Sequence, residues 1–124
     1  MKFVSIILLS LIWSVSAFAQ HSHGSKGPNG GAMEDVAGVH AELMTSGNAI
    51  TFNIIDEGNK PVATSGFTGS VLVVSGSERE TINLSPSGDS AMKGEAKKPI
   101  AANAAITLML KTKQGKSGQA KFKK

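Results

Sequence analysis

The sequence predicts a small all-β protein: an antiparallel β-sandwich of Ig-like type, with seven to eight short strands, behind an N-terminal signal peptide. Three observations carry this reading. From Val36 onward apolar residues recur with a period of two, the spacing of a half-buried strand rather than a helix. Turn residues interrupt that pattern about every 8–14 residues, as in sandwiches and small barrels. The 14 glycines and the 40% hydrophobic share suit a compact β-rich domain better than a disordered chain.

Met1-Lys2 supplies a positive start, Phe3 to Val15 is almost entirely apolar, and Ala17-Phe18-Ala19 has the small-x-small form of a cleavage site. At about 15 residues the apolar run falls short of the roughly 20 that span a bilayer. Residues 1–19 are therefore assigned to a signal peptide, leaving no transmembrane span after cleavage and a periplasmic or secreted product. Residues 20–35 are expected to form a flexible arm, since Gly and Ser dominate its first part and Pro28-Asn29-Gly30-Gly31 favours turns. Residues 36–124 are assigned to the β-domain.

Within it, Val39, Ala41 and Leu43 alternate with His40, Glu42 and Met44, and Ile50, Phe52 and Ile54 alternate with Thr51, Asn53 and Ile55. Asp56 to Pro61 reads as a loop. The Val/Leu run between Ser70 and Ser75 predicts a strand at the centre of a sheet. Ile82 and Leu84 mark the next strand, Ser85 to Asp89 a turn, and Ala91-Met92 a short strand. Residues 96–105 are ambiguous and allow one helical turn around Pro99. Ile106, Leu108 and Leu110 face inward. Gln114 to Ser117 then turns the chain into a last strand with Ala120 and Phe122 inside and Lys121 and Lys123 outside.

Composition narrows the function. With no cysteine there is no disulfide scaffold, thiolate nucleophile or Cys-built metal site. Five Phe, one Trp and no Tyr leave little for base stacking, so no nucleic-acid partner is expected. No paired carboxylates or Ser, His and Asp stand at a catalytic spacing, so the chain is read as not an enzyme and as having no organic cofactor. Charge is uneven. From Gln20 to Leu110 nine acids outweigh six bases, whereas residues 111–124 hold six Lys and no acid. Such a basic end attracts phosphate or anionic lipid, or simply marks the solvated face of an edge strand.

The chemistry-bearing residues cluster early. His40 and Glu42, two apart on a strand, leave the same face; Met44 continues that face. Glu34 lies just before, and His21 and His23 sit in the arm. Imidazole suits Cu(II), Zn and Ni, thioether favours Cu(I), and carboxylate completes a mixed site. His40 and Glu42 would form a fixed half-site and His21 or His23 a movable lid. The bland alternative is polar filler in the arm and a solvent-facing cross-strand pair on the strand. Gly27 to Gly31 also has the make-up of an anion-binding nest.

Gly27-Pro28-Asn29-Gly30-Gly31, followed by His40-Ala41-Glu42-Leu43, is similar to a motif of small exported bacterial β-proteins and of the periplasmic adaptor subunits of heavy-metal efflux pumps. Asp56-Glu57-Gly58-Asn59-Lys60-Pro61-Val62 resembles the loop after the second strand there. Where that family often has a His before the Gly-Pro-Asn-Gly-Gly run, this chain has Lys26, which shifts weight to His40 and Glu42, with His21 or His23 as substitutes. The resemblance implies a periplasmic accessory protein that binds copper, zinc or nickel and works beside an efflux component. A structural or interaction module of the cell envelope, without metal, is the competing expectation. Oligomeric state is left open.

Overall fold

The computed structural model describes residues 25–123, which are all-β: eight antiparallel strands and no helix. They are β1 (Met33–Val36), β2 (Val39–Ser46), β3 (Ala49–Ile55), β4 (Thr68–Ser75), β5 (Glu78–Ser87), β6 (Ala91–Glu95), β7 (Ala105–Lys111) and β8 (Ser117–Lys123). The expected signal peptide, along with His21 and His23, lies outside the described residues. No helix among the described residues is long and apolar enough to cross a membrane.

The strands form one sheet in the order β1-β2-β3-β6-β5-β4-β7-β8. Two overlapping Greek keys produce this order. β4, β5 and β6 follow one another as hairpins, β3 reaches over to lie beside β6, and β7 returns to lie beside β4. β5 is the corner: its Glu78–Leu84 part pairs with β4, and Ser85, Pro86 and Ser87 pair with β6. The sheet bends there and curls nearly into a barrel, so that the edge strands β1 and β8 come together. Gly118 of β8 lies so close to the β1–β2 turn that a Cβ on it would sit 2.6 Å from the Ala37 backbone nitrogen.

The alternation predicted from sequence sets the inside. Ala41, Leu43, Ile50, Phe52, Ile54, Val71, Val73, Ile82, Leu84, Met92, Ile106, Leu108, Leu110, Ala120 and Phe122 are all buried in one core. Phe52 and Phe122 meet across it with ring centroids 5.4 Å apart and planes tilted by 54°, a favourable aromatic arrangement. β4 is interior to the sheet, as its Val/Leu run predicts, flanked by β5 and β7. Only one of its faces is fully covered, since Leu72 and Val74 remain half-buried. Residues 96–104 form turns and irregular backbone with no helical turn.

One boundary moves. Residues 33–35, expected in the arm, belong to β1, and the chain from Ser25 to Ala32 is bonded to the sheet through a Lys26–Ala32 bridge and a bond from the Leu43 N–H to the Ala32 carbonyl. The connection between β1 and β2 explains why the sequence hid β1. It is the two-residue turn Ala37-Gly38, with φ of 51° and 83°. Both residues are left-handed there, the geometry of a tight hairpin, but an Ala at its first position carries none of the Asn-Gly signal.

Candidate functional site

The predicted face of β2 exists. His40, Glu42 and Met44 point away from the core that Ala41 and Leu43 enter, and the antiparallel register sets Met33 opposite Glu42, and Asp35 and Ile55 opposite His40. What covers this face decides its chemistry.

Glu42 is 0% exposed. The Gly27–Gly31 loop folds over it, and both carboxylate oxygens accept N–H groups. Oε2 takes the backbone N–H of Asn29 at 2.8 Å and of Gly31 at 2.9 Å, and Oε1 takes the Asn29 side-chain amide at 2.9 Å. A turn whose N–H groups converge is a nest for an anion, and here the anion is the protein's own. Burial of a charge is tolerated because it is fully hydrogen-bonded. The loop closes on itself as well, with the Gly27 N–H on the Gly31 carbonyl at 2.7 Å.

The glycines are what allow this approach. A Cβ on Gly27 would lie 2.4 Å from Glu42 Cδ, and one on Gly31 would lie 2.2 Å from the Leu43 carbonyl oxygen and 2.8 Å from Met44 Sδ. Gly31→Ala should therefore cost about 1–3 kcal/mol or more through overpacking against backbone that cannot yield. Gly30→Ala meets nothing within 4 Å, but its φ of 82° strains a side chain and should cost about 1–2 kcal/mol. Urea midpoints of the two variants check this order.

His40 is differently placed. Its side chain is 23% exposed, and its Nδ1 pairs with the carboxylate of Asp35 across the β1–β2 ladder. That carboxylate is the orienting partner the sequence does not disclose. A carboxylate against Nδ1 selects the tautomer protonated there and leaves the Nε2 lone pair as the ligating position, the usual outer arrangement behind a metal-bound imidazole.

The other predicted ligands do not join it. Glu34 pairs with Ala41, so it shares the core-facing side of the pleat rather than the His40 face. Met44 is four residues along the strand from His40, about 13 Å at the usual rise, and lies beside the loop at Gly31. Glu42 shares the face of His40 as predicted, but its oxygens are committed to the loop. Among the described residues no three His, Cys, Asp or Glu side chains gather closely enough to hold a metal ion. His40 with Asp35 is the element that remains. The chain matches no protein-family model, no curated protein and no solved structure.

Of the other hollows of the surface, one is lined by Glu78 and Glu80 together with Arg79, Lys97 and Lys98 and holds no His. The one between the β1–β2 turn and the loop before β8 is lined by Gly38, Val39, Val62, Phe67, Lys113 and Lys116, among others, with no His, Asp or Glu.

Proposed function

We propose that this chain is an exported, non-enzymatic accessory protein of the bacterial envelope that holds one transition-metal ion, copper, zinc or nickel, and delivers it to an efflux component. The observation that carries this reading is the part-exposed His40 imidazole oriented by Asp35. A single imidazole is half a site at most, and the remaining donors are assigned to His21 and His23. The bond from the Met33 N–H to the Ser25 carbonyl brings the chain alongside β1, and His23 is only two residues further, a reach of about 7 Å of backbone. The domain itself is read as an Ig-like sandwich. In support, β2-β3-β6-β5 and β4-β7-β8 follow the order of the two Ig sheets.

The test is titration of the chain with Cu(II), Zn(II) and Ni(II), read by competition with a chelating dye and by thermal midpoint. An ion bound only by the folded chain raises that midpoint. Asp35→Asn should weaken binding about 10- to 100-fold, the usual effect of removing a partner behind a ligand. His40→Ala and the double change His21→Ala/His23→Ala should each weaken it further, and Glu42→Gln should leave the affinity of the folded protein unchanged. Full-strength binding by His40→Ala would sink the half-site. If none of the three ions shifts the midpoint, the envelope interaction module becomes the better reading.

A further inference from the structure

The outer face of β4, β5, β7 and β8 has a charge distribution that the metal reading does not use. Register places Arg79, Val74, Ala105 and Lys123 in one row across it, and Thr81, Leu72, Thr107 and Lys121 in the next. The third row is Asn83, Ser70, Met109 and Gln119, and Lys111 follows Met109 along β7. No Asp or Glu stands in these rows. Glu78 and Glu80 fall on the opposite side of the β5 pleat, where Glu78 pairs with Lys98 and Glu80 accepts the Lys97 backbone N–H.

The layout is apolar at the centre and cationic at the rim. Leu72 and Val74 are half-buried, and Met109, at 40%, is the exposed large hydrophobic side chain among the described residues. Lys121 and Lys123 run along the β8 edge, Lys111 closes one end, and Arg79 stands at the far side. Four strands make this face about 15–20 Å wide and somewhat longer than that, with one open hollow among Thr68, Ser70, Met109, Lys111 and Gln119. The sequence-wide imbalance agrees, with six Lys and no acid in residues 111–124. The acids Asp35, Glu42 and Glu95 belong to the β1-β2-β3-β6 half.

We infer that this face docks on an anionic phospholipid membrane, with the lysines at the phosphates and Met109 against the headgroup–acyl boundary. A surface bearing cations around part-exposed apolar side chains adsorbs to such an interface. Single-stranded nucleic acid needs aromatic stacking platforms, and this face has no aromatic residue. The inference does not rest on metal binding.

The test is co-sedimentation of the full chain with vesicles of phosphatidylcholine, with and without phosphatidylglycerol, at about 50 and 500 mM salt. The apolar segment 3–15 contributes equally in every variant, so the readout is the salt-sensitive, phosphatidylglycerol-dependent part of binding. With each Lys contributing about fivefold near an anionic surface, Lys121→Gln/Lys123→Gln should weaken that part about 30-fold. The exposed pair Lys60→Gln/Lys97→Gln, away from this face, should leave it within about twofold. Thermal midpoints of both variants should match the parent, since all four side chains are exposed. Equal loss in both variants, equal binding to neutral vesicles, or retention on heparin with none on vesicles would each overturn the inference.

Discussion

Glu42→Ala should lower stability by about 3–5 kcal/mol, because removing a buried hydrogen-bonded charge strips its partners as well. Three N–H groups, two from Asn29 and one from Gly31, lose their acceptor at once. The loop that covers β2 is then held by its own turn, the Lys26–Ala32 bridge and the backbone bonds at its two ends, from the Met33 N–H to the Ser25 carbonyl and from the Leu43 N–H to the Ala32 carbonyl. At about 4–8 °C per kcal/mol for a domain of this size, the melting midpoint should fall by roughly 15–30 °C. Glu42→Gln separates charge from shape. Its carbonyl oxygen can keep two of the donors, and the Asn29 amide can turn its oxygen toward the new NH2 group, so the cost should drop to about 1–2 kcal/mol. Thermal unfolding followed by circular dichroism measures both. An alanine variant within about 1 kcal/mol of the parent would mean that the loop does not depend on the carboxylate.

Phe52→Ala should cost about as much, 3–5 kcal/mol, for an unrelated reason. Phe52 is 0% exposed, sits between Leu43 and Met92 on the neighbouring strands, and packs on Phe122 of β8. The pair links the β2-β3-β6 half of the curled sheet to the β7-β8 half. With no disulfide to hold the two halves, a cavity there weakens the core packing between them. Phe52→Leu retains most of the volume and loses the ring pairing, about 0.5–1.5 kcal/mol, and should fall between parent and alanine. Denaturant unfolding checks the series. If Phe52→Leu were as costly as Phe52→Ala, the aromatic pairing rather than the filled volume would dominate.

The two residues differ in how far their roles can be read from the chain. Phe52 is legible because strand alternation has a period of two and every second residue of β3 is apolar. His40 and Glu42 are legible as neighbours on one face for the same reason. Their fates are not. Periodicity says which side of a strand a residue leaves, but not what another segment lays over that side. Asn29 and Gly31 of the Gly27–Gly31 loop lie 13 and 11 residues upstream of Glu42, and the loop's convergence on that carboxylate is a tertiary event. The nest composition of the loop and the lone acid of β2 are both visible in the sequence, and only their pairing is not. Glu34 shows the limit of proximity in sequence, because one step along β1 turns it to the core-facing side, away from His40. β1 itself was hidden by a hairpin turn that begins with Ala37 instead of Asn or Gly.

Local chemistry alone, then, determined the class of the protein: short apolar alternation, frequent Gly-containing turns and no cysteine leave an antiparallel β-domain closed by Ile, Leu, Val and Phe. Tertiary structure decided which polar groups keep their chemistry. Packing the glycine loop onto β2 buries the Glu42 charge and satisfies it internally, while the β1–β2 register hands Asp35 to a part-exposed His40. A carboxylate cannot both accept three buried N–H groups and stay open to solvent, and that competition is settled only when distant parts of the chain meet.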